Sequence, residues 1–178
     1  LTLVYNADSD ADTLCNLTNH TYFNLSGEAD DSILDHTLTL NASAITANDE
    51  ECQPNGTIAS VDGTCFDFRT PKTIGQDIDA DEEQLINAGG YDHNFIPDGT
   101  GLRKIAEASS PKTHIHMSVY SDKPGVQFYS GNFLEDQTGK SGTKYANRAG
   151  FCLDTQYFPN AMAVELFPSI VLHAGDPY

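Results

Sequence analysis

His20, Asp92 and Asp154 are the residues of this chain whose types and settings suit proton transfer. His20 sits in Asn16–Leu17–Thr18–Asn19–His20–Thr21–Tyr22–Phe23–Asn24–Leu25, a strand-like, aromatic-rich stretch with three asparagines. Asp92 sits in Gly90–Tyr91–Asp92–His93–Asn94–Phe95, and Asp154 in Gly150–Phe151–Cys152–Leu153–Asp154–Thr155–Gln156. A histidine and two carboxylates, far apart in sequence and each in an apolar or aromatic setting, point to one acid–base site. An imidazole is the side chain that takes and gives a proton near neutral pH, and a neighbouring carboxylate favours its charged form. Each residue also has a structural reading. His20 would be a histidine hydrogen-bonded among Asn19, Asn24 and backbone, Asp154 a buried hydrogen-bonded acid, and Asp92 a turn aspartate after Gly89–Gly90.

Other candidates carry less. His93 reads as structural. His114 and His116 fall on one face of a strand at i, i+2, a spacing that can hold a metal. No carboxylate or cysteine accompanies them in that strand, so a solvent-facing pair is expected. Cys15, Cys52, Cys65 and Cys152 are widely spaced with no CxxC pair, which argues against a zinc site, and no metal is expected. Cys15 and Cys152 lie in apolar runs and read as buried thiols. Cys52 and Cys65 lie in loop-rich sequence and would pair only in a secreted protein. The run Asp79–Ala80–Asp81–Glu82–Glu83 lacks the glycine and spacing of an EF-hand and reads as a solvated face.

The elements that must position these residues are mostly strands. Thr37–Leu40 alternates polar and apolar, and Thr113–Tyr120 alternates over eight residues with Ile115, Met117 and Val119 on one face. Leu3–Val4–Tyr5, Val126–Gln127–Phe128–Tyr129 and Val164–Glu165–Leu166–Phe167 are further short strands. Alternation puts Gln127 and Tyr129 on one face and Phe128 on the other. Turn formers separate the strands at Asn6–Asp8, Pro54–Gly56, Pro97–Gly99 and Lys123–Gly125. A short surface helix or turn is expected between Ile74 and Ile86. Many short strands with regular turns predict an all-β, antiparallel β-sandwich, and no linker or repeat divides residues 1–178.

Composition narrows the partners. The net charge of −17 disfavours nucleic acid and anionic membranes, and a neutral ligand suits it better. With 39% hydrophobic residues the chain is expected to fold, and no apolar run is long enough to span a bilayer. No signal peptide is visible, which favours a cytoplasmic location, and the missing initiator Met suggests a trimmed chain or part of a longer one. Asn-x-Ser/Thr sequons occur at Asn16, Asn19, Asn24, Asn41 and Asn55.

The three segments around His20, Asp92 and Asp154, with Gly125–Val126–Gln127–Phe128–Tyr129–Ser130–Gly131–Asn132–Phe133, resemble the aldose 1-epimerase (galactose mutarotase) family, in the family's order. The resemblance covers nearly all of the chain. It implies the galactose mutarotase-like supersandwich, of which this chain would be an incomplete portion lacking the early part of the family domain. That part normally adds an arginine, another histidine and further strands, so a second chain or copy completing the sandwich is expected. The resemblance implies interconversion of aldose anomers on a monosaccharide substrate, without metal or redox cofactor. One group takes the proton of the anomeric hydroxyl and another gives one to the ring oxygen. His20 matches the family's acid, Asp92 and Gln127 match its sugar contacts, and Tyr22 would pack on the sugar ring or serve as a core tyrosine. Asp154 matches the position of the base, where the family normally has glutamate, so its reach is one methylene shorter. The alternatives are a non-catalytic carbohydrate-binding module and a structural β-sandwich fragment that needs a partner chain.

Overall fold

The computed structural model describes residues 1–28, 30, 32–135 and 137–178. In chain order its elements are β1 (Thr13–Leu14), β2 (Thr37–Leu40), β3 (Ala42–Asn48), β4 (Pro54–Ser60), β5 (Lys72–Thr73), α1 (Glu83–Ala88), β6 (Asp92–Pro97), β7 (Arg103–Ser109), β8 (His116–Ser121), β9 (Gly125–Tyr129), β10 (Gln137–Thr138), β11 (Lys144–Tyr145), β12 (Cys152–Gln156) and β13 (Val171–Leu172). A five-stranded sheet runs β12-β9-β6-β3-β4 and a four-stranded sheet β5-β2-β7-β8. β1 with β13 and β10 with β11 form two small ribbons. Every pairing is antiparallel, as the sequence pattern predicts.

The two large sheets share one core. Leu38 and Leu40 from β2 and Ile105 from β7 join Ile45 from β3, Phe95 from β6, Phe128 from β9 and Leu153 from β12. Aromatic rings fill the centre: Tyr91 stacks on Phe128 at 5.1 Å, and Phe68 meets both edge-on at 5.1 and 5.5 Å. Burying each such ring contributes about 1.5–3 kcal/mol. The alternation read in Thr37–Leu40 is realised with both leucines inward, and that in Val126–Tyr129 with Val126 and Phe128 inward. Among the described residues no helix is long and apolar enough to cross a membrane.

Several local expectations fail for identifiable reasons. Only His116–Ser121 of the Thr113–Tyr120 segment is strand. Ser110 and Pro111 begin a turn in which His114 N donates to Ser110 O at 3.0 Å with His114 at φ 59°, leaving Ile115 exposed. Met117 and Val119 do pack on the core, and His114 and His116 face solvent. Val164–Phe167 is a turn closed by Phe167 N donating to Val164 O, and Pro168 has no N–H to continue a ladder. Leu3–Val4–Tyr5 pairs with no strand among the described residues. Pro54–Gly56 opens β4, because the preceding turn is made by Asp49, whose carboxylate accepts from the N–H groups of Glu51 and Gln53. The helix is confined to Glu83–Ala88, closed by Gly89 at φ 66°, and the stretch before it buries Ile74 and Ile78 rather than facing outward. All four cysteines are free thiols; Cys152 is buried as expected, whereas Cys15 is only half-buried.

Candidate active site

Strand register assembles the site on the outer face of the five-stranded sheet. Phe95, Phe128 and Leu153 point into the core, so period-two alternation turns Asp92 and Asn94 of β6, Gln127 and Tyr129 of β9, and Cys152 and Asp154 of β12 to the opposite face. The ladders align them in two rows. Asp92 pairs with Tyr129 and Tyr129 with Cys152, while Asn94 pairs with Gln127 and Gln127 with Asp154. Directly opposed side chains in such rows lie about 4.5–5.5 Å apart at Cβ, close enough to act on one small ligand.

His20 and Tyr22 reach this face from outside the sheet. Residues 15–22 are extended without being a regular strand, which corrects the strand-like reading. The segment lies along β12: Thr18 Oγ1 donates to Thr155 O at 2.9 Å, Asn16 Nδ2 donates to Tyr157 O at 3.1 Å and Tyr157 N donates back to Asn16 Oδ1. Phe23 closes a bridge to Phe151. Asn24 is committed elsewhere, donating to Asp30 O and Ala149 O, so the asparagines brace the segment and leave the His20 ring free of them. The ring instead lies beside Tyr22 at 5.1 Å and edge-on to Tyr129 at 6.2 Å.

The result is a cavity of about 260 Å³ lined by His20, Tyr22, Asp92, Gln127, Tyr129, Phe133 and Asp154. Drug-sized ligands occupy ~300–1,000 Å³, so this volume suits a single small ring. His20 Nε2 lies 3.7 Å from Asp154 Oδ2, and Gln127 Nε2 donates to Asp92 Oδ1 at 2.8 Å. All five residues singled out in the sequence therefore meet in one place. Tyr129 and Phe133 line it as well. Strand alternation beside Gln127 already marked Tyr129. Phe133 is held by a turn, its N–H donating to the Tyr129 hydroxyl at 3.0 Å, and carried no comparable signal.

Burial sets the electrostatics. The Asp154 carboxyl is pushed up to about 6, by burial first, with His20 opposing and Asp92 adding to the rise. One Asp154 oxygen, Oδ1, has no hydrogen-bond partner among the described residues. Asp92 is also raised by burial, against the pull of the Gln127 hydrogen bond and of His20. The Tyr22 hydroxyl is pushed up to about 12, chiefly by burial, so it stays protonated. His93 points the other way: its Nδ1 accepts from Asp92 N at 3.1 Å, its ring packs on Phe66 at 4.6 Å, and burial lowers it to about 4. It braces Asp92 from the core side, in keeping with the structural role expected of it.

Known proteins share this arrangement of strands. Galactose mutarotase from Bos taurus is 40% identical over 183 positions, spanning all of this chain and 51% of that protein. Aldose 1-epimerase from Escherichia coli is 36% identical over 182 positions, spanning all of this chain and 52% of that protein. Among solved structures, galactose 1-epimerase from Lactobacillus acidophilus superposes with a TM-score of 0.81 at 30% identity, covering 97% of this chain and 48% of that one. An aldose epimerase homologue from C. elegans superposes with a TM-score of 0.83 at 26% identity, covering 97% and 51%. The chain spans about half the length of the curated relatives it matches. The aldose 1-epimerase family profile matches residues 1–178, and the chain belongs to that family.

Proposed function

We propose that this chain interconverts the α and β anomers of an aldose of the glucose or galactose type. His20 is the acid, Asp154 the base, and Asp92, Gln127 and Tyr22 hold the sugar. The observation that carries this reading is the 3.7 Å approach of His20 Nε2 to Asp154 Oδ2 in a cavity the size of one ring, with the Gln127–Asp92 pair beside it.

The chemistry needs two coordinated proton movements. The Asp154 carboxylate takes the proton of the anomeric hydroxyl. The C1 oxygen becomes a carbonyl as the C1–O5 bond breaks, and O5 takes a proton from the His20 imidazolium. Rotation about C1–C2 presents the other face of the aldehyde. The O5 hydroxyl then attacks, and both protons return. Burial raises the basicity of Asp154 toward working pH, which suits a general base. Asp92, fixed by Gln127, accepts from sugar hydroxyls through charge-assisted hydrogen bonds. Tyr22 and Tyr129, meeting edge-on at 6.2 Å, offer aromatic faces to the ring.

The shorter carboxylate at position 154 favours a second reading, sugar binding without turnover, because a ~1 Å displacement can cost ~10²-fold in rate. A second chain or copy that completes the sheet and adds sugar contacts belongs to either reading. Polarimetry of freshly dissolved α-D-galactose separates them. The chain is expected to speed the approach to anomeric equilibrium. His20→Ala and Asp154→Ala should each lower that rate ~10²–10⁴-fold, and the double variant little further, since the two act as one unit. Additive losses would break the pairing, and saturable sugar binding with no acceleration would select the second reading.

A further inference from the structure

Beneath the cavity, which His20 and Asp154 line, the buried thiol of Cys152 adds a donor that proton transfer alone does not require. Cys152 and Asp154 stand two residues apart on β12 and so share its outer face, and His20 hangs over them. One ligand atom from each of His20, Cys152 and Asp154 falls within 4.8 Å of the other two, the one such trio among the described residues. A tetrahedral cation with metal–nitrogen, –oxygen and –sulfur bonds of ~2.0–2.3 Å would need ligand atoms roughly 3.3–3.6 Å apart. His20 Nε2 and Asp154 Oδ2 already stand 3.7 Å apart, and closing from the 4.8 Å limit is a movement of up to about 1.5 Å, to which the half-exposed His20 side chain can contribute. Asp154 is 5% exposed; its Oδ2 faces His20, and its Oδ1 has no hydrogen-bond partner among the described residues, leaving a buried acceptor unsatisfied.

We propose that His20, Cys152 and Asp154 form an inhibitory binding site for a soft divalent cation of the Zn²⁺ type. The donor set of imidazole, thiolate and carboxylate selects such an ion over Mg²⁺ or Ca²⁺, which prefer oxygen donors throughout. Binding displaces the thiol proton of Cys152 to solvent and leaves one coordination position for water. The ion occupies the lone pairs with which His20 and Asp154 exchange protons, so the loaded chain cannot turn over. The inhibition rests on the functional reading above; the binding does not. Wide cysteine spacing hid the site in the sequence, because only the register of β12 and the overlying segment brings a single cysteine to the other two donors.

Titration of the chain with Co²⁺, followed by absorption, tests the proposal. A saturable thiolate-to-cobalt band in the near ultraviolet is expected, displaced by Zn²⁺ and unaffected by a large excess of Mg²⁺. Cys152→Ser should abolish the band, and His20→Ala should weaken Co²⁺ binding by at least ~10²-fold. His20→Ala alters a half-exposed residue, so it serves even where Cys152→Ser fails to fold. Absence of a thiolate band, or unchanged binding in His20→Ala, overturns the proposal and assigns any bound ion to the acidic surface or the exposed histidines. In the same preparation, Zn²⁺ should slow mutarotation and a chelator restore it. A cobalt–thiolate spectrum on a chain that does not accelerate mutarotation sinks the functional reading and leaves the site standing; an active chain without the spectrum does the reverse.

Discussion

Burial holds the Asp154 carboxyl at about 6, against an ordinary 3.8, and that shift has a consequence for stability as well as for the proposed proton transfer. Between those two values the folded chain binds the Asp154 proton more tightly than the unfolded chain does. The stabilising contribution of this group is therefore full below about pH 4 and is lost as pH rises through 6. Asp154→Asn removes the buried charge and should raise the melting temperature at pH 7.5, by the equivalent of about 1–3 kcal/mol. The gain should vanish near pH 4. Thermal melts of both proteins across that range check the sign, and a gain that grows toward acid would contradict it. The proposed base is thus a carboxylate that the fold carries at a cost, a common mark of working sites.

The elements were unequally legible. β2 and the centre of β9 could be read because one face of each is core and the other is not, so their alternation is clean. β6 and β12 are buried on both faces where they build the site, with His93, Asn94, Cys152 and Asp154 all buried, and simple alternation is lost there. The turns at Ser110–Ile115 and Val164–Phe167 imitate strands in composition, and only the hydrogen bonds of Ser110 and the proline after Phe167 distinguish them. The site residues were legible as motifs but not as a geometry, since His20 depends on Asn16 and Thr18 docking an irregular segment against β12. Gly125 shows how tightly this geometry is set. A Cβ there would meet Asn94 Oδ1, Phe158 Cδ1 at 3.0 Å and the Gln156 carbonyl at 3.2 Å. Gly125→Ala should push β9 from β12, cost about 1–3 kcal/mol in a denaturant melt and lower activity along with it. Full stability in that variant would contradict the tight three-strand register.

At the scale of the molecule, charge opposes compaction. The net charge of −17 is spread over a surface with nine basic residues, and ion pairs such as Arg69–Asp67 and Arg148–Asp79 offset only part of the repulsion. Raising ionic strength from low values to about 0.15 M, where the screening length is ~8 Å, should raise the melting temperature at neutral pH. An unchanged or lower value would mean that local ion pairs dominate. Among the described residues β12 and β4 end the five-stranded sheet and β5 and β8 end the four-stranded one, so each has a ladder on one side only. The chemical event at the centre of the proposed function is passage between anomers at His20 and Asp154. Magnetisation exchange between the α and β anomeric protons of galactose at equilibrium counts that event directly by NMR. Exchange should appear when the chain is added and disappear with Asp154→Ala; no exchange with the chain, or equal exchange with the variant, would contradict the assignment.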